Sequence, residues 1–130
     1  MLVPKLRVAR PTNDLPALLR FYRDGLGLSV LYAFENHDGF DGVMLGHAQA
    51  PYHLEFTAQA GHTVELRPNP EQLLVFYIPE RAEWQLAVAR MQQHGFAPVA
   101  AYNPYWDQLG HTFADPDGYH IVLQNADWQF

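Results

Sequence analysis

The chain has no cysteine, one serine (Ser29) and one lysine (Lys5) in 130 residues. Without cysteine there is no disulfide, thiolate metal ligand, redox pair or cysteine nucleophile. Ser29 lies in no nucleophile-elbow pattern, which argues against serine hydrolysis. Lys5 stands beside Pro4 near the terminus, a poor setting for Schiff-base chemistry. Long apolar runs are missing as well. The longest, Leu73 to Ile78, falls far short of the roughly 20 residues that cross a bilayer as a helix. The opening Met1-Leu2-Val3-Pro4-Lys5 lacks the apolar stretch of a signal peptide, so a cytoplasmic protein is expected. Positive charge is scarce: a net charge of −6 with scattered arginines speaks against nucleic acid and anionic membranes as partners. Charged residues make up 17 % and apolar residues 48 %, a composition that excludes a disordered tail or a coiled coil. At this length about two-thirds of the unfolded surface can be buried, so stability requires no metal or cross-link. Any chemistry falls to His, Glu, Asp, Tyr and Arg, and seven histidines are a generous supply.

The sequence resembles itself. Leu45-Gly46-His47 precedes Tyr52-His53-Leu54-Glu55-Phe56, and Leu109-Gly110-His111 precedes Tyr119-His120-Ile121-Val122-Leu123. Gly27 and Gly95 each close a helical pattern, as a helix C-terminus prefers. The first helix is expected to begin at Asn13 or Asp14, with Leu15, Leu18, Leu19, Tyr22 and Leu26 on one face. The second is expected from about Glu80 to His94, with Trp84, Ala87, Val88 and Met91 inward. A strand precedes each helix (Leu6–Ala9 and Leu73–Ile78). Three follow each: about 29–35, 42–46 and 53–57, then 96–102, 110–114 and 120–124. Asp115-Pro116-Asp117-Gly118 is strong turn chemistry between the last two. Each half reads as βαβββ, with module one at about 1–65 and module two at about 66–130.

Leu6-Arg7-Val8 through Asp14-Leu15, then Phe21-Tyr22-Arg23-Asp24-Gly25-Leu26-Gly27-Leu28, resembles the opening of the vicinal oxygen chelate superfamily. That superfamily holds glyoxalase I, bleomycin-resistance and fosfomycin-resistance proteins and extradiol dioxygenases. Asp115 to Val122 resembles its closing hairpin. Asp41 to Met44, Tyr52 to Thr57 and Asn103 to Trp106 are similar to a subgroup of bacterial glyoxalase-like proteins. The resemblance implies an α+β fold, two βαβββ modules whose curved mixed sheets form a cleft, and a homodimer.

It also implies four metal-ligand positions, one on the first and one on the last strand of each module. The last strand of module one gives Glu55, the single match. The others give Val122, Leu73 or Gln72, and Val3 or Arg7, depending on register. Neither Val nor Arg is an ordinary ligand of a divalent cation. No metal or other cofactor is therefore expected.

Side chains two apart on a strand share a face, so His53 faces the cleft if Glu55 does, and the repeat places His120 likewise. Glu55, His53 and His120 are the candidate catalytic residues, as proton carriers or as an unorthodox metal site. Candidate ligand-binding residues are Arg7, whose fork suits an anion, with Phe34, Phe40, Tyr102, Tyr105 and Trp106 as an aromatic wall. Phe34, His37 and Phe40 are expected in the connection equivalent to the one carrying Tyr102 to Asp107. The histidines and aromatics also have bland readings, as strand-end, rim or core residues. The reading that results is a glyoxalase/bleomycin-resistance-like protein that binds a small, partly apolar molecule without metal, by sequestration or by acid/base turnover. Its rival is a metal-dependent lyase, isomerase or dioxygenase using Glu55 with His53 and/or His120.

Overall fold

The computed structural model describes residues 2–129. The chain divides into two compact units, Met1–Leu66 and Arg67–Phe130.

In the first unit, β1 (Leu6–Pro11) leads to α1 (Leu15–Leu19), followed by β2 (Ser29–His37), β3 (Phe40–Gly46) and β4 (Tyr52–Gln59). Asp14 caps α1, its carboxylate accepting from the Ala17 N–H at 3.0 Å. The expected single helix to Leu26 is not uniform: from Arg20 to Gly25 the turns widen to π geometry. The widening shifts the inward face, so Phe21 is buried beside Tyr22 while Leu19 and Leu26 are only half-buried. Gly27 ends the segment at φ +84°, the left-handed value expected of a closing glycine. The strands form a mixed sheet in the order β1-β4-β3-β2, with β1 parallel to β4 and the other pairs antiparallel. Its two faces differ. Val43, Leu45, Leu54 and Phe56 are buried, and Tyr22 from the helical segment lies 4.8 Å from the Phe56 ring. Arg7, Met44, His53 and Glu55 occupy the other face, as the register of the three strands requires.

In the second unit, β5 (Leu73–Tyr77), α2 (Arg81–Gln93), a 3₁₀ turn (Pro104–Asp107), β6 (Gly110–Ala114) and β7 (His120–Gln124) follow in order. The sheet runs β5-β7-β6. The strand expected over 96–102 is absent: the segment makes one isolated bridge, Val99 to Thr112. Pro98 has no N–H to give to a ladder. The second unit therefore keeps the βαβββ order with its second strand reduced to a bridge. Helix α2 covers the face of Phe113, Ile121 and Leu123. Its Trp84 indole donates to the Leu123 carbonyl at 2.9 Å and stacks on His111 at 5.3 Å, and Val88 and Met91 are buried. The turn reads as expected: the Asp115 carboxylate accepts from the Asp117 and Tyr119 N–H groups, both at 2.9 Å, and Gly118 takes φ +92°. Among the described residues no helix is long and apolar enough to cross a membrane.

Candidate functional site

The open face of the first sheet carries the densest chemistry. The parallel register of β1 and β4 sets Arg7 beside His53 and Ala9 beside Glu55. On the other flank β3 sets Met44 beside Glu55 and Gly46 beside His53. Because Ala9 is short, the Arg7 side chain can reach both polar neighbours. Its Nε donates to His53 Nε2 at 2.9 Å and its Nη1 to Glu55 Oε2 at 3.5 Å, while Nη2 lies 3.9 Å from Met44 Sδ. The Arg7 side chain is 47 % exposed and that of Glu55 14 %.

This geometry assigns protons. A guanidinium only donates, so His53 Nε2 must offer its lone pair and the imidazole proton sits on Nδ1. The ring is neutral when the bond is made, and its basic nitrogen is committed to Arg7. Glu55 is the freer base, because its Oε1 accepts no hydrogen bond among the described residues. Tyr52 points to the opposite face of β4, and burial pushes its phenol above the ordinary value, so it stays protonated.

Phe34 and Phe40 lie beyond Met44 on the same face. They belong to the β2–β3 hairpin itself and not to a loop: Phe34 pairs with Gly42 inside the ladder, and Phe40 opens β3 opposite His37. This corrects the sequence expectation, which took Phe34, His37 and Phe40 for a connection like 102–107. The Phe34 ring lies directly over Gly42, where any Cβ would meet its edge. Gly42 is thus what leaves room for the end of that ring on the sheet. A small hollow of about 110 Å³, lined in part by Phe40, Thr57 and His62, continues the face past Glu55. Arg10 belongs to the other side: it donates to the Tyr22 hydroxyl at 2.9 Å, with its guanidinium 5.3 Å from the Phe56 ring centre.

The second unit carries His120, Tyr102, Tyr105 and Trp106. Tyr102 and Trp106 line a cavity of about 390 Å³ together with Leu73 and Asn103. Asn103 caps the 3₁₀ turn through the Tyr105 N–H, which fixes the loop. Tyr105 packs edge-on against Trp106 at 5.0 Å and is itself exposed. His120 pairs with Leu73, and its buried Nδ1 has no hydrogen-bond partner among the described residues. His53, Glu55 and Arg7 thus form one cluster in the first unit, and His120 stands in the second. Met44, Thr112 and Gln124 were missed by sequence reasoning. Only the strand registers show which faces they share.

On the resemblance, the superfamily's four metal positions would fall at Arg7, Glu55, Leu73 and Val122, since Arg7 pairs with His53 as Leu73 does with His120, while Gln72 lies one residue before β5. Val3, the other possibility for the first position, precedes β1 and is exposed. The donor set does not fit a divalent cation. The one carboxylate faces a guanidinium, two positions are aliphatic, and no three His, Asp or Glu side chains among the described residues are grouped to hold an ion.

Residues 6–57 match the YycE-like N-terminal domain and residues 71–125 the YycE-like C-terminal domain. The protein YycE of Bacillus subtilis (strain 168) is 43 % identical over 122 residues, covering 94 % of this chain and 88 % of that one. Its crystal structure, described as a putative glyoxalase/fosfomycin resistance protein, superposes with a TM-score of 0.89 over 96 % of this chain and 91 % of that chain, at 42 % identity. Leishmania major glyoxalase I shares the fold alone, with a TM-score of 0.72 at 23 % identity over 96 % and 88 % of the two chains. The chain belongs to the YycE-like family, within the vicinal oxygen chelate superfamily.

Proposed function

We propose that this protein binds a small, partly apolar molecule on the open face of its first sheet without a metal ion, Arg7 taking the anchoring role. The observation that carries this reading is the Arg7 guanidinium set against His53 and Glu55, at the position from which a metal would otherwise be held. His53 orients the guanidinium through Nε, and the long contact to Glu55 leaves the Nη edges able to take a ligand oxygen. Met44, Phe34 and Phe40 offer the apolar half of the contact. Sequestration needs nothing more. Turnover, where it occurs, uses Glu55 as the base, because the His53 lone pair is already engaged. The protein works as a cytoplasmic homodimer.

A thermal-shift comparison of benzoate with toluene-like neutral analogues, on wild type and on Arg7→Met, tests the reading. A ligand that binds only the folded state raises the melting temperature. The benzoate shift should be present in wild type and lost in Arg7→Met. An equal shift in both proteins would remove Arg7 from the site. A shift that requires added Zn²⁺, Ni²⁺ or Mn²⁺ would return the metal-dependent reading.

A further inference from the structure

Met44 is placed unlike a core methionine. It lies in the middle of β3, paired with Glu55 of β4 on one side and with Tyr32 of β2 on the other. Strand alternation turns its neighbours Val43 and Leu45 into the core, at 4 % and 0 % exposed, and leaves Met44 half-buried on the face of Arg7. Its sulfur stands 3.9 Å from Arg7 Nη2. The contact is weak, because a thioether is a poor acceptor. The three donors of the guanidinium are therefore unequally held. His53 takes Nε at 2.9 Å and Glu55 takes Nη1 at 3.5 Å, while Nη2 has no partner but the sulfur among the described residues. The least engaged donor of the cluster thus faces the one side-chain atom nearby whose acceptor strength oxidation raises. Met91 offers a contrast within the same chain: it is 0 % exposed on α2, out of reach of a dissolved oxidant.

We infer that Met44 is a site of reversible oxidation by peroxide, and that its sulfoxide takes over the Arg7 Nη2 donor at the expense of an anionic ligand. The step is an oxygen transfer. The Met44 sulfur attacks one oxygen of hydrogen peroxide, an S–O bond forms as the O–O bond breaks, and the proton of the transferred oxygen passes to the departing one, which leaves as water. Sulfur is oxidised and the peroxide reduced. The product carries a strong acceptor on a side chain that was apolar. Its oxygen lies one bond nearer the guanidinium than the sulfur does, and a hydrogen bond from a charged donor is the stronger kind. The same oxygen makes polar a surface that served apolar contact. The position corresponding to Met44 in the second sheet is Thr112, which pairs with Val122 as Met44 does with Glu55, so this chemistry belongs to the first unit. The loss of ligand rests on the reading of Arg7 as the anchor; the capture of Nη2 does not.

The whole chain is treated with hydrogen peroxide, the modified residues are located by peptide mass spectrometry, and benzoate is titrated before and after. Met44 is expected to gain an oxygen atom while Met91 stays unmodified. Benzoate should then bind about fivefold more weakly, and methionine sulfoxide reductases should restore the original affinity. Met44→Leu has similar volume and no sulfur, and it keeps Met1 and Met91. Compared only with itself, it should bind benzoate equally before and after peroxide. An equal fall in Met44→Leu, or oxidation of Met91 ahead of Met44, overturns the inference. So does undiminished benzoate binding by protein oxidised at Met44, which leaves the anchoring role of Arg7 intact. The ¹H–¹⁵N signals of the Arg7 side chain read the capture without any ligand: they should move on oxidation in the wild type and stay in Met44→Leu. If benzoate binds neither form, the anchoring reading fails, and an Arg7 signal that ignores Met44 oxidation overturns the inference as well.

Discussion

Replacing Arg7 by Met tests the proton assignment at the heart of the first site. The substitution keeps most of the aliphatic stem and deletes the three donors that reach His53, Glu55 and Met44. A hydrogen bond involving a charged group contributes about 1.5–3 kcal/mol when well shielded. Here the arginine side chain is 47 % exposed and the Glu55 contact is long at 3.5 Å, so solvent screening brings the expected loss to about 1 kcal/mol. For a chain of this size that is about 4 °C in Tm. The sharper readout is the imidazole itself. In the wild type, His53 should carry its neutral proton on Nδ1, visible in long-range ¹H–¹⁵N correlation spectra as a non-protonated Nε2. Without Arg7 that preference loses its cause, and about 1 kcal/mol corresponds to a fivefold change in the tautomer ratio. His37, exposed in the β2–β3 hairpin and 3.8 Å from Asp38, should not respond. A wild-type His53 protonated on Nε2, or one whose signals ignore Arg7→Met, would refute the arrangement.

Further outcomes follow from individual contacts. Purified without a polyhistidine tag, the protein should carry far less than one equivalent of Zn, Ni, Mn or Fe; a stoichiometric metal whose removal by chelator lowers Tm would contradict the donor-set argument. Gly42→Ala should push the Phe34 ring off the sheet, weakening apolar ligands on the Arg7 face by more than it lowers Tm, which differential scanning calorimetry and a binding titration compare directly. Phe56→Ala empties the centre of the first core, where Phe56 is 2 % exposed, and should cost about 3–5 kcal/mol in urea unfolding. Light scattering should give a mass near twice 14.9 kDa across dilute concentrations, because the low charge fraction and the open sheet edges favour association; a stable monomer would remove the homodimer from the proposal.

Much of the fold was legible because local chemistry and pattern agreed. The helix-closing Gly27 and Gly95 take φ of +84° and +88°, and β6 runs over Gly110–Ala114 as expected. The misreadings have physical causes. The π widening at Arg20–Gly25 leaves no mark in apolar spacing, because Phe21 and Tyr22 satisfy either geometry. The segment 96–102 carries strand-like residues, yet Pro98 breaks the ladder and one bridge remains. At the site, alternation put His53 on the face of Glu55, but no spacing rule could set Arg7 against them. That contact joins residues 46 and 48 apart and depends on the parallel register of β1 on β4.

The two sheets show how one register can carry two chemistries. Beside His53 stands a guanidinium, and beside its repeat equivalent His120 stands Leu73. The first imidazole is therefore fixed by a donor, with its tautomer decided, while the second keeps a buried ring nitrogen without a partner among the described residues. The difference extends one pair along each sheet. Phe34 covers Gly42 in the first, and the Gln124 carboxamide covers Gly110 in the second. In both cases a glycine opens a floor that a neighbour occupies, apolar in one unit and hydrogen-bonding in the other. The repeated register thus sets charged side chains on this face of one half and neutral polar side chains on that of the other. Placing the first unit's residue in the second tests this division: Leu73→Arg should supply a donor to His120, whose ring should then take the tautomer preference expected of His53. If the His120 ring nitrogens ignore Leu73→Arg while the variant remains folded, register alone does not determine the chemistry that each half carries.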